Sequence, residues 1–157
     1  MIICRFENGK EARLRHVTTG SIIKNNKNQV LISRRSPGQL NPNKFTLPGG
    51  FLGRDEDTKE GSLREIFEET GLRCRILYLF HIVDTPLRPK EDRQNVELRY
   101  VVEVIGGKEK ITKEVSELRW ISEHNTPPDE EFAFDHRKTI VKYFEYLKNP
   151  FPLPIFN

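Results

Sequence analysis

From Gly50 onward the chain reads one glycine, five residues, Glu56, seven residues, and then Arg64-Glu65-Ile66-Phe67-Glu68-Glu69-Thr70-Gly71-Leu72. On a helix turning 100° per residue, Glu65, Glu68 and Glu69 share one side, opposite a stripe of Leu63, Ile66, Phe67 and Thr70. Like charges at these spacings cost a helix about 0.2–0.5 kcal/mol per pair, so the cluster does nothing for folding. A compensating cation is implied. Arg64 is expected to reach only part of the face, toward Glu68. Gly61 and Ser62, one turn earlier, are small where a large side chain would crowd a ligand, although Gly61 costs up to about 1 kcal/mol relative to Ala. Clustered carboxylates without soft ligands suit a hard divalent ion such as Mg²⁺ or Mn²⁺, which holds phosphate oxygens and activates water. Taken alone, the three glutamates also fit a solvated acidic face.

The elements that must position these groups follow from local pattern. Thr58 to Thr70 reads as a helix with marked ends: Asp57 and Glu60 form a capping-box pattern, and Gly71 stands where a left-handed glycine stops a helix. Upstream, Leu14 to Ile23 and Gln29 to Ser33 flank the polar turn Asn25 to Asn28, a hairpin signature. Arg34 and Arg35 end its second strand, and a loop rich in Pro, Gly and Asn leads to the Gly49-Gly50 pair. Downstream, Ile76 to Val83 is predicted as a buried strand, followed by a charged loop with Pro86 and Pro89. Val96 to Val104 alternates as a half-exposed strand, with Glu97, Arg99 and Glu103 on its polar side. Leu118 to Ile121 is a short strand, and Ile140, Phe144 and Leu147 give a closing helix from about His136 to Lys148 an apolar face. The tail, residues 149–157, holds three prolines. It is expected to lie extended over the protein's own core.

Composition narrows the function classes. The 157 residues are 36% hydrophobic and 31% charged, with a mean hydropathy of −0.62. That length fits a single domain, 1–157. The net charge of +3 is too small to argue for nucleic acid or an anionic membrane. No apolar run reaches the roughly 18–20 residues of a membrane span, and the first residues lack a signal-peptide layout, so a cytoplasmic protein is expected. Cys4 and Cys74 read as reduced thiols.

The spacing from Gly50 to Leu72 resembles the Nudix box, G-x5-E-x7-R-E-U-x-E-E-x-G-U with U apolar, and every fixed position is filled. The resemblance implies an α/β fold, the Nudix α/β/α sandwich, with a mixed β-sheet between helices. It also implies hydrolysis of a nucleoside diphosphate linked to another moiety, with Mg²⁺ or Mn²⁺ as cofactor and a small nucleotide as substrate. On that reading Glu65, Glu68 and Glu69 bind metal, the Gly50 carbonyl supplies a further oxygen, Arg64 orients the carboxylates, and Glu56 has a supporting role.

Outside the box the assignments rest on less. Glu114 ranks first as a general base, on a loop where some Nudix enzymes carry an extra glutamate, with Glu117 and Glu97 behind it. One of Arg34 and Arg35 is expected to meet substrate phosphate, since neighbours on a strand face opposite ways. Phe132-Ala133-Phe134-Asp135-His136, together with Asp84-Thr85-Pro86 and Pro89, resembles ADP-ribose pyrophosphatase relatives. Phe132 or Phe134 would stack on a base or sit in the core; Asp135 would cap the last helix, with His136 as an interfacial histidine. ADP-ribose or a similar nucleotide sugar is therefore the leading substrate. The alternatives are a nucleoside triphosphate pyrophosphohydrolase and a non-catalytic nucleotide-sensing module. A homodimer is left open.

Overall fold

Ile22 and Ile23, Leu31 and Ile32, and Val101 and Val102 are all fully buried, yet the members of each pair belong to different apolar clusters. Successive strand side chains point to opposite faces, so these pairs require a sheet covered on both sides. The computed structural model, which describes residues 2–86 and 94–156, has that architecture. In chain order it contains β1 (Ile2–Arg5), β2 (Glu11–Leu14), β3 (Val17–Lys24), β4 (Val30–Arg35), β5 (Phe45–Thr46), β6 (Gly49–Phe51) and α1 (Thr58–Thr70). Then follow β7 (Leu72–Val83), β8 (Val96–Gly107), β9 (Val115–Ile121), α2 (His136–Lys148) and β10 (Ile155–Phe156).

The main sheet runs β10-β7-β8-β3-β4-β5, with β6 also paired to β3 and β9 to β4. It is mixed: β8 and β3 are parallel, as are β10 and β7, and the other pairs are antiparallel. Ile66 of α1 joins the cluster on one face, and Ile140, Tyr143 and Phe144 of α2 join the other. The expected sandwich is present. Phe151, Leu153 and Ile155 of the tail pack against the α2-side cluster, and β10 extends the sheet edge. β1 and β2 form a separate hairpin that the sequence reading did not anticipate. Of the charged loop, residues 87–93, which include Pro89, lie outside the described residues, whereas Pro86 is described. Among those described, no helix is long and apolar enough to cross a membrane.

Two expectations are corrected. β8 is not half-exposed: it lies between β7 and β3 with a helix over each face, so Glu97 (5% exposed) and Arg99 (0%) are buried beside α2. The buried side of α1 is also turned from the expected stripe. Phe67 is 53% exposed, while Gly61, Ser62, Ile66 and Thr70 are buried. The cause is close helix–sheet packing. Ser62 Oγ lies 2.7 Å from Ser21 Oγ of β3, and a Cβ on Gly61 would stand 2.9 Å from Leu52 Cδ1 and 3.0 Å from Glu56 Oε1. The small residues of α1 thus answer to packing rather than to ligand access.

Candidate active site

α1 begins and ends as its sequence dictates. Asp57 accepts from the backbone of Lys59 and Glu60 while Glu60 reaches back to the Asp57 N–H, and Gly71 closes the helix at φ 74°. With both ends fixed, Arg64 projects between the box glutamates and the loop before the helix. Its Nε and Nη2 donate to the Glu56 carboxylate at 2.9 and 2.7 Å, and Nη1 donates to Glu65 at 2.8 Å and Glu68 at 3.0 Å. Nη2 also reaches the Phe51 carbonyl at 3.0 Å. A guanidinium has five N–H donors, and all five are engaged. Arg64 therefore reaches well beyond Glu68, holding three carboxylates and the end of β6. Its hydrogen bonds, with that from Gly53, hold Glu56 down at about 2. Glu56 and Glu65, bonded to the guanidinium, raise Arg64 in turn.

Glu69 is placed differently. It accepts from the Gly49 N–H at 3.1 Å, and among the described residues no Lys or Arg nitrogen lies within 4.0 Å of it. Burial pushes its carboxyl up to about 8, against the Gly49 hydrogen bond. Burial raises Glu65 as well, although Arg64 opposes it. Backbone approach tightens the same spot. A Cβ on Gly50 would stand 2.6 Å from the Glu65 carboxylate, and one on Gly49 would stand 2.1 Å from the Thr19 carbonyl oxygen. Only glycine lets β6 lie this close to both β3 and α1. The result is a set of oxygen donors short of positive charge, which fits a hard divalent cation and no soft one.

These groups border a cavity of about 510 Å³. Glu65, Glu68, Glu69 and Gly50 line it, as do Glu114, Arg35 and Phe134. Arg34 does not. Its Nε bonds Glu117 at 2.7 Å and its guanidinium lies 3.8 Å from the centre of the Phe45 ring. The pairing with β9 shifts register between Arg34 and Arg35. Glu117 is outside the cavity wall; burial works to raise its pKa, but Arg34 and Arg119 outweigh this and hold it low. Phe132 is fully buried in the core, whereas Phe134, at φ 52°, stands on the wall with the Arg35 guanidinium 5.6 Å from its ring centre.

At the α2 side of the cavity lie groups that the sequence reading did not bring together. Arg99 Nη2 donates to Glu97 at 2.7 Å and to Asp135 at 2.6 Å, and Nη1 donates to Thr139. Burial opposes the Arg99 charge, but the two carboxylates outweigh it and raise its pKa. Asp135 occupies the N-cap position of α2 without a side-chain capping bond, because its carboxylate serves Arg99 instead. His136 Nδ1 accepts from the Leu47 N–H at 2.9 Å, which fixes the neutral ring with its proton on Nε2. Glu97, Asp135 and His136 bring one ligand atom each within 4.8 Å of one another. Arg99 already supplies a cation to two of these three groups. The available sequence signal was two opposite charges, Glu97 and Arg99, two residues apart on a largely apolar strand.

Known proteins resemble this chain in sequence and in fold. The NUDIX domain model matches residues 14–143. An ADP-ribose pyrophosphatase of Methanocaldococcus jannaschii is 33% identical over 132 residues, covering 83% of this chain and 73% of the relative. A NUDIX hydrolase from Nitrosomonas europaea superposes with a TM-score of 0.80 at 21% identity, over 99% of this chain and 91% of that one. An ADP-ribose pyrophosphatase from Streptococcus suis does so with a TM-score of 0.71 at 18% identity, over 92% and 100%. At these identities the two structures speak to fold alone.

Proposed function

The chain belongs to the NUDIX family as a pyrophosphohydrolase, and from that premise we propose that it hydrolyses ADP-ribose, or a closely similar nucleotide sugar, to AMP and a sugar phosphate with Mg²⁺ or Mn²⁺. The observation that carries this reading is the cavity wall itself: an acidic cluster whose only bound guanidinium among the described residues is saturated, facing a space large enough for a dinucleotide-like ligand.

In this reading Glu65, Glu68, Glu69 and the Gly50 carbonyl would hold the ion. The ion would neutralise phosphate oxygens and lower the pKa of its water. Arg64 keeps the carboxylates in one arrangement before substrate arrives, so that little reorganisation is left for the reaction. Glu56 fixes Arg64. Glu114, at the cavity wall just before β9, is the group to take a proton from attacking water at its carboxylate. Arg35 faces phosphate and Phe134 offers a ring to a base. The M. jannaschii relative, an ADP-ribose pyrophosphatase over most of the aligned chain, supports a nucleotide sugar over a triphosphate.

The test is product analysis with Mg²⁺ across nucleotide sugars, dinucleotide cofactors and nucleoside triphosphates. Release of AMP and ribose 5-phosphate from ADP-ribose, well above triphosphate turnover, is expected. Preferential release of pyrophosphate from triphosphates would replace the substrate assignment, and no cleavage with any diphosphate would remove the catalytic one.

A further inference from the structure

Arg35 joins two parts of the cavity wall that are far apart in sequence. Its Nε donates to the Leu40 carbonyl at 2.6 Å and its Nη2 to Gln39 Oε1 at 3.2 Å, while its guanidinium stands over the Phe134 ring at 5.6 Å. Arg35, Gln39, Leu40 and Phe134 all border the cavity. The loop that carries Gln39 and Leu40 is tied down at both ends. The Ser36 N–H donates to the Glu114 carbonyl and the Asn43 N–H to the Arg35 carbonyl, each at 2.9 Å. Leu40 is nevertheless 42% exposed. Phe134 is half-buried, and its left-handed φ of 52° is a backbone conformation that a bulky side chain rarely adopts. Its neighbours fix it there: the Ala133 N–H donates to the Phe45 carbonyl at 2.8 Å, and the Asp135 carboxylate is held by Arg99.

Leu40 and the Phe134 ring give this part of the wall an apolar lining, and the nearby guanidinium favours a π-system. A planar base suits it, with the diphosphate at the box. Gln39 narrows the choice of base. Arginine only donates, so the amide oxygen is the end turned to Arg35 and the NH₂ group is the other end. The oxygen has a second lone pair, so Gln39 offers an acceptor and a donor side by side. That pattern pairs with the amino group and N7 of adenine, whereas guanine carries two acceptors on the same edge. We propose that Leu40, Phe134 and Gln39 form the subsite for an adenine base, with Gln39 as the specificity-determining residue. This rests on the reading that a nucleoside diphosphate linked to a sugar is cleaved.

The experiment compares kcat/KM, with Mg²⁺, for ADP-ribose, GDP-ribose and an analogue in which hydrogen replaces the adenine. Wild type, Leu40→Ala, Phe134→Ala, Gln39→Glu and Phe51→Ala are tested, with melting curves alongside. Phe134→Ala can disturb the start of α2; Leu40→Ala trims an exposed loop side chain and keeps the test alive. Gln39→Glu retains an oxygen for Arg35 and removes the NH₂ donor. Phe51→Ala is the control at the other phenylalanine of the wall. Wild type is expected to use ADP-ribose roughly 10- to 100-fold better than the base-free analogue and about tenfold better than GDP-ribose. Leu40→Ala, and Phe134→Ala if folded, should cut the first ratio by about threefold or more while turnover of the base-free analogue stays within about twofold of wild type. Gln39→Glu should bring the second ratio to about threefold or less. Equal use of ADP-ribose and the base-free analogue by wild type overturns the subsite, as does a loss in Leu40→Ala that is the same for both. A first ratio that collapses in Phe51→Ala places the base elsewhere and overturns it as well. Equal use of GDP-ribose by wild type, or an undiminished second ratio in Gln39→Glu, overturns the adenine assignment to Gln39. Wild type that cleaves none of the compounds removes the proposed function, and this subsite with it, a result distinct from cleavage without discrimination.

Discussion

Glu56 grips Arg64 along a whole edge of the guanidinium, Nε to Oε2 at 2.9 Å and Nη2 to Oε1 at 2.7 Å. That edge-on pairing turns Nη1 toward Glu65 and Glu68. Lysine keeps the charge but replaces the rigid five-donor fork with three donors on one rotating nitrogen. Arg64→Lys is therefore expected to lower kcat by roughly 10- to 100-fold with little change in secondary structure. Steady-state kinetics beside circular dichroism decide it, and an unchanged kcat would show that orientation is not what Arg64 supplies.

The same pair sets an acid-side dependence. Glu56 is held at about 2, chiefly by its hydrogen bonds from Arg64, against an ordinary value of 4.5. A carboxylate lowered in the folded state stabilises above its unfolded pKa and loses that contribution as pH falls through the folded one. Urea unfolding should place wild type above Glu56→Gln at pH 7, with the gap closing between pH 4.5 and about 2. A gap independent of pH contradicts the assignment.

Glu69 has the opposite sign. Burial lifts it from 4.5 to about 8, so its contribution is full below 4.5 and is lost as pH rises through about 8. Without metal, Glu69→Gln should be more stable than wild type at pH 8.5, by an amount on the order of 1–3 kcal/mol, and the difference should disappear by pH 4.5. Both Glu69→Gln and Glu68→Gln are expected to lose turnover by orders of magnitude. A Glu69→Gln protein less stable than wild type at pH 8.5 would contradict the buried, charge-poor carboxylate.

With Glu69 as a ligand in the proposed function, binding of the ion releases a proton. Below about pH 8, Mn²⁺ affinity is expected to rise close to tenfold per pH unit. Calorimetry in two buffers of different ionisation enthalpy gives both the slope and the proton count. Affinity flat from pH 6 to 8 would mean that Glu69 is already ionised.

Arg34 and Arg35 should separate cleanly. Arg35→Ala is expected to raise KM by about tenfold or more at little cost in stability. Arg34→Ala should leave KM near wild type while lowering stability by about 1–2 kcal/mol, through loss of its contacts with Glu117 and Phe45. Parallel kinetics and denaturant melts test both. The reverse pattern would exchange the two roles.

Much of the frame was legible in sequence because its causes are local. Asp57, Glu60 and Gly71 mark α1 through contacts that span only a turn or the helix itself, and α2 runs from His136 to Lys148 as its apolar period requires. Phe67 shows where local pattern misleads. It completes a helical stripe, but the stripe that is buried is the one whose small residues let α1 approach β3. Asp135 is a second case. Its type and place suit a cap, yet a buried arginine 36 residues away takes its carboxylate.

The amino-acid order alone determined the family spacing, the acidic side of α1 and the two helices, since each depends on neighbours within a few turns of chain. It also required that Arg34 and Arg35 part company without saying which faces the cavity. Tertiary structure decided that choice, with Arg34 held on Glu117 and the Phe45 ring and Arg35 on the cavity wall. It decided, too, that β8 lies between two strands and two helices, turning Glu97 and Arg99 from surface charges into a buried network. Such outcomes depend on which distant strands pair and which helix covers them, and no local spacing encodes that partner.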